Sequence, residues 1–178
     1  MHPLKRLALG VALLAVLLVV VAFALPQQIT VARSKVINAP ESDVYPYVNS
    51  LKRFQQWSPW AARDPETKYT FSGPEEGKGA RMEWNSDHPE VGWGIQQIVE
   101  SEENSFVRLK LDFGEMGQAN ASYQLKPDGA GTRVLWVFDT DVGNNPVRRW
   151  MGPMFDRWIC KEYEDGLERL KKLVEAGG

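Results

Sequence analysis

The chain has 178 residues, with 21 lysines and arginines against 23 aspartates and glutamates, two histidines and one cysteine. The charge is spread along the sequence and sums to −2, which excludes a basic nucleic-acid footprint. A lone cysteine excludes an intramolecular disulfide, and Cys160 with His88 cannot make a convincing zinc site; no metal and no cofactor is expected.

Residues 7–25 carry no charge and no strongly polar side chain, and as a helix they span about 28 Å, close to the hydrocarbon thickness of a bilayer. Lys5 and Arg6 precede the run, which places the N-terminus inside and the rest of the chain outside. A cleavable signal is the competing reading, because Ala22-Phe23-Ala24 fits the small-x-small cleavage pattern. The apolar run is longer than the core of an ordinary signal peptide, which favours an anchor or uncleaved signal over residues 1–26. Residues 27–178 form one domain of ordinary size, expected on the periplasmic side of a bacterial inner membrane. Setting aside Lys5 and Arg6 leaves 19 basic against 23 acidic residues in the rest, a net charge of −4 without a polybasic patch.

The first strand is expected over about 29–37. "PESDVYPYVNSLKRF" then opens with proline and acidic residues at a helix-entry position. Pro46 argues for two short helices rather than one long one, and Pro59 ends the second near Trp57. Six strands should follow. In "ARMEWN", Ala80, Met82 and Trp84 share a face. "VGWGIQQIVE" groups Val91, Trp93 and Ile95, with Gly92 and Gly94 opposite. "FVRLKLDF" groups Val107, Leu109, Leu111 and Phe113, and "ANASYQLK" groups Ala119, Ala121, Tyr123 and Leu125. "TRVLWVFDT" is apolar on both faces and belongs inside the sheet. Pro127-Asp128-Gly129 supplies a hairpin turn. From Asn145 the apolar spacing becomes helical, with an interruption expected at Gly152-Pro153 and a long helix over about 153–175.

One long helix cannot cover an antiparallel sheet of this width, so the short helices must close one end and a hollow is expected between helix and sheet. Its inward side chains are expected to be Met82, Trp84, Trp93, Leu109, Tyr123 and Trp136 from the strands. Met154, Phe155 and Trp158 would face it from the helix. Trp57 and Trp60, from "FQQWSPW", either line the mouth or plug the core between the short helices and the sheet.

The stretches "INAPESDVYPYV", "FQQWSPWAARDP", "FSGPEEGKGARMEW", "VGWGIQQI", "GTRVLWVF" and "YEDGLERLKKLVE" resemble the START-like (Bet v 1-like, SRPBCC, polyketide cyclase/dehydrase) superfamily over about 29–175. "WSPW" followed by "DP" is similar to a bacterial branch in which many members carry an N-terminal membrane segment. The resemblance implies an α+β helix-grip fold: a curved antiparallel sheet of about seven strands around a long C-terminal helix, with two short helices after strand one. It implies a function among ligand carriers, receptors, aromatic cyclases, quinone binders and a co-chaperone.

No nucleophile elbow or phosphate loop is present. "DTDVGNN" has calcium-type oxygen ligands but a misplaced glycine, and reads as a strand end leading to a helix cap at Asn145. Asp139, Asp141 and Glu115 read as solvated turn residues. The expected wall is apolar with Tyr123 as its main polar tip, which suits a hydrophobic ligand such as a lipid, isoprenoid or quinone better than acid–base catalysis. The expected partners are that ligand and, through the N-terminal helix, the membrane; no protein partner is indicated. The alternatives are a cyclase/dehydrase-like enzyme and a protein-interaction or stress-response module with a vestigial cavity.

Overall fold

The structure, a computed structural model, describes residues 3–177, with the side chains of residues 4, 151 and 153–157 left undescribed. An apolar helix α1 (Pro3–Ala24) precedes strand β1 (Gln28–Ile37). Three short helices follow: α2 (Glu41–Val48), α3 (Leu51–Phe54) and α4 (Pro59–Arg63). Strands β2 (Lys68–Ser72), β3 (Arg81–Asn85), β4 (Trp93–Glu102), β5 (Phe106–Asp112), β6 (Gln118–Asp128) and β7 (Gly131–Asp141) come next. The chain ends in α5 (Pro146–Ala176).

The strands form one antiparallel sheet in the order β1-β7-β6-β5-β4-β3-β2. Every neighbouring pair except β1–β7 is consecutive in sequence, so short turns build most of the sheet. The last strand closes it by pairing with the first, Gln28 opposite Asp141 and Ile37 opposite Thr132. Helix α5 runs along the β1 edge, tied by Arg33 to Glu164 and Lys35 to Glu168, both at 2.8 Å, and by Lys171 Nζ donating to Val36 O at 2.9 Å. Its buried stripe of Cys160, Tyr163, Leu167, Leu170 and Val174 keeps helical spacing and faces Val134 and Trp136 in the core.

Three local features differ from the sequence reading. A third short helix follows Ser58, whose hydroxyl accepts from Ala61 N while Pro59 occupies the first turn. Gly152-Pro153 does not interrupt α5, which is helical from Pro146 to Ala176. A proline crowds the Cβ and N–H of the residue before it; glycine has no Cβ, which relieves part of that clash. The third difference is the facing of β4. Gly94, Gln96 and Ile98 point inward, and Trp93, Ile95 and Gln97 do not. Gly94 pairs with Trp84, and a Cβ on Gly94 would stand 2.4 Å from the Trp84 ring. Trp84 can lie inside only because glycine is opposite it.

Candidate cavity

A cavity of about 730 Å³ lies between the sheet and α5. Its walls come from alternate positions of the strands: Met82 and Trp84 of β3, Gln96 of β4, Leu109 and Leu111 of β5, Ala119, Ala121 and Tyr123 of β6, and Trp136 and Phe138 of β7. Ile159 and Tyr163 of α5 close the opposite side.

One end is blind. Trp57 is fully buried there, its ring edge-on to Phe54 at 4.8 Å, Trp136 at 5.3 Å and Tyr123 at 5.8 Å. Its indole N–H donates to Tyr47 O at 3.1 Å, which ties the turn after α3 back to α2. Trp136 stacks on Tyr163 at 3.7 Å, and Trp60 meets both rings edge-on. Gly166 lets the helix come this close, since a Cβ there would sit 2.8 Å from the Trp136 ring.

The other end is open. Its rim is the β3–β4 turn at Pro89–Gly92, the turn at Glu115–Gly117, the β7 exit at Asp141–Val142, and Arg148 at the start of α5. Arg148 Nη2 donates to Glu115 O at 2.9 Å across that rim. Trp84 is held near the opening by its N–H to Val91 O at 3.3 Å and by an edge-on contact with Phe113.

Among the described residues the charged lining side chains, Glu90, Glu115, Asp141 and Arg148, all belong to the rim. The inner walls carry phenols and amides instead. Burial pushes the Tyr123 and Tyr163 phenols well above their ordinary range, so both stay neutral and can donate hydrogen bonds at any physiological pH. Two lining amides are incompletely paired. Gln55 donates to Met82 Sδ at 2.8 Å, but its Oε1 is buried without a partner. Gln96 Nε2 is likewise buried without an acceptor. The Trp136 N–H has no aligned acceptor, although it lies near enough to the Tyr163 phenol to counter part of that group's upward shift. An unpaired buried polar group costs about 1–3 kcal/mol, so a side-chain rotation that brings either atom to the cavity surface would let a ligand's polar atom relieve that cost.

The residues singled out from the sequence separate cleanly. Trp60, Met82, Trp84, Leu109, Tyr123 and Trp136 line the cavity. Trp57 does not; it is the plug behind the wall. Trp93 faces outward and is 49% exposed, its ring lying over Gly114, because the β4 facing is opposite to the one expected. Trp158 is 59% exposed, on a side of α5 away from the Cys160–Tyr163 stripe. The side chains of Met154 and Phe155 lie outside the described residues. Gln55 and Gln96 were not singled out. The signal for Gln96 was the Gly-x-Gly before it: a large Trp84 on the neighbouring strand needs glycine, not tryptophan, opposite.

Residues 28–175 match the family profile described as polyketide cyclase / dehydrase and lipid transport. The chain belongs to this family. A search of curated proteins finds no match. Among solved structures the family fold recurs at low identity. Ara h 8.0201 is 9% identical with a TM-score of 0.63, covering 84% of this chain and 99% of that one. Protein CV1439 from Chromobacterium violaceum is 16% identical with a TM-score of 0.59, covering 83% and 98%. The di-domain ARO/CYC StfQ from the steffimycin biosynthetic pathway is 11% identical with a TM-score of 0.63, covering 85% of this chain and 53% of that one. At these identities the similarity shows the fold.

Proposed function

We propose that the protein holds a hydrophobic small molecule in its cavity and works tethered by α1 to the periplasmic face of a bacterial inner membrane. The observation that carries this is the cavity itself, which is large, walled mainly by apolar side chains and, among the described residues, free of charged groups except at its rim. A ligand with a long apolar body and one or two neutral polar groups fits best, as in a lipid, an isoprenoid or a quinone. Turned toward the cavity, the unpaired Gln55 carbonyl oxygen would accept from such a group and the unpaired Gln96 amide would donate to one. Trp84 and Trp60 are in position to pack on its apolar body.

A cyclase- or dehydrase-like reaction is the second reading, supported by the family description and by the two buried phenols. It asks for a general base, and among the described residues the inner wall carries no charged side chain; phenols held neutral can orient or polarise a carbonyl but not remove a proton. A module with a vestigial cavity would be filled, and this interior is hollow.

The test is mass spectrometry of an organic extract of the full-length protein, purified gently from its native membrane and compared with an unrelated membrane protein treated identically. A stoichiometric, enriched lipid or quinone supports the carrier reading and names the ligand class. An extract no different from the control removes it.

A further inference from the structure

The mouth and the membrane helix meet at one end of the molecule. Gln28 pairs with Asp141, and Asp112 with Gln118, so the start of β1 and the rim of the cavity share one end of the sheet. Helix α1 ends at Ala24, and three residues separate it from β1. It is 22 residues long, with an apolar stretch over Lys5–Ala24 long enough to cross a bilayer. The turn at the far end of β6–β7 stands about 30 Å away, the length of a ten-residue strand.

The join is built, not loose. Arg149 is only 4% exposed, yet no carboxylate faces it among the described residues. Its Nη1 donates to Phe23 O at 3.0 Å, Leu25 O at 3.3 Å and Ala22 O at 3.5 Å, carbonyls at and just past the C-terminus of α1, of which Ala22 O also accepts from Leu25 N at 3.2 Å. Nε donates to Gly143 O at 2.9 Å and Nη2 to Asn144 Oδ1 at 3.0 Å, and the guanidinium lies 5.1 Å from the Phe23 ring centre. A cation at the negative end of the α1 dipole is a favourable cap. Cleavage after Ala24 would remove two of these carbonyls and the ring beside the guanidinium, and with them the clamp.

Around this join the surface is apolar and uncovered. Met116 is 69% and Val147 67% exposed, and Trp150 donates its indole N–H to Leu18 O at 3.1 Å. Leu18 lies six residues before the end of α1, about 9 Å down the helix, which puts the Trp150 ring at the depth where tryptophans sit in a bilayer interface. Met116 belongs to the rim turn that Arg148 bridges.

We infer that the cavity mouth is seated on the bilayer surface, with Arg149 clamping the end of α1 and Met116, Val147 and Trp150 inserted at the headgroup–acyl boundary. The inference rests on the reading of the cavity as a hydrophobic-ligand site, and it gives that site its supply: ligand passes between bilayer and cavity without crossing open water. Glu90, Glu115 and Asp141 outnumber Arg148 at the rim, so the seating is by apolar insertion and not by attraction to anionic lipid.

The full-length chain is reconstituted in phosphatidylcholine vesicles carrying a headgroup nitroxide. A fluorophore is attached to Met116→Cys, Val147→Cys or Ala130→Cys in turn; the unsubstituted chain, whose Cys160 is buried, gives the background. Loss of fluorescence at 116 and 147 with none at 130 is the expected result. Equal signals at all three positions would overturn the seating, as would a mature protein that begins after Ala24. Arg149→Ala should reduce the quenching at 116; undiminished quenching would remove the clamp. The extraction experiment fails separately: an empty extract with quenched rim labels sinks the carrier reading and leaves the seating, and a filled extract with unquenched labels does the reverse.

Discussion

At the blind end of the cavity each large ring leans on several others; at the mouth Trp84 has one ring beside it and otherwise backbone and space. Trp57 has three aromatic neighbours and a satisfied N–H, and Trp136 is stacked on Tyr163 while meeting Phe54 and Trp60 edge-on. Trp84 has Phe113 on one side, glycine beneath it and the hollow in front. The same residue type therefore supports the fold at one end and leaves room for a ligand at the other. The difference lies in what stands opposite each ring: at the plug, side chains from α3, β6 and β7 converge, and at the mouth Gly94 withholds one.

The largest effect should come from breaking the plug. Trp57→Ala removes a fully buried indole and its hydrogen bond, and should lower unfolding free energy by about 3–5 kcal/mol in a urea titration. Trp84→Ala, at the mouth, should cost less than half of that while reducing the amount of ligand that co-purifies. Equal losses for the two would erase the distinction between the ends.

Alkali tests the blind end by another route. Tyr123 and Tyr163 are pushed upward by burial, so the folded protein holds these two protons above pH 10 where the unfolded chain releases them. Stability is then unaffected by these groups below pH 10 and falls as pH rises beyond it, by about 1.4 kcal/mol per pH unit for each phenol. Two of the five tyrosines should also fail to ionise in an absorbance titration until the protein unfolds. A full five-tyrosine transition near pH 10 with the fold intact would contradict the buried placement.

Gly94→Ala sharpens the comparison at the mouth. The added methyl would lie 2.4 Å from the Trp84 ring and 2.9 Å from Asp112 O, and only the ring can move. A loss of about 1–3 kcal/mol is expected, with Trp84 displaced into the hollow and ligand occupancy reduced. Unchanged stability and unchanged occupancy would mean that the ring has free space elsewhere.

The two ends also differ in how far they could be read from the sequence. Strand alternation gave the inward faces of β3, β5 and β6, because their large apolar residues fall mainly on one parity; β7 is apolar on both faces, as a strand inside the sheet can be, and alternation does not choose its inward one. It failed on β4, where both parities offer something apolar: Trp93 and Ile95 on one, Ile98 on the other, with an irregularity between Ile98 and Glu100. The choice is made by Trp84 on the next strand, and no single-strand pattern contains it. Trp57 and Trp60 are three residues apart in an aromatic cluster, and their separation into plug and wall depends on the short helix that Ser58 starts between them. Helical spacing gave the buried stripe of α5 from Tyr163 onward, at Tyr163, Leu167, Leu170 and Val174. It could not assign Trp158, because the apolar residues of 147–158 wrap more than one side of the helix and part of that surface faces α1 and the outside rather than the core.

The smallest change in stability should come from the residue with the most to say about the ligand. Gln96→Leu removes a buried amide whose nitrogen has no partner and replaces it with an apolar side chain of similar size. In an empty protein this removes an uncompensated desolvation cost, so unfolding free energy should stay within about 1 kcal/mol of the parent or rise. In a protein that binds through this amide, the same change leaves the ligand's acceptor unpaired on an apolar wall, and occupancy by polar-headed ligands should fall while purely hydrocarbon ones are retained. The two readouts move in opposite directions only if Gln96 belongs to the ligand rather than to the fold. A Gln96→Leu protein that loses several kcal/mol would show instead that the amide is part of the wall's own structure, and the ligand's polar contact would have to be sought at Gln55.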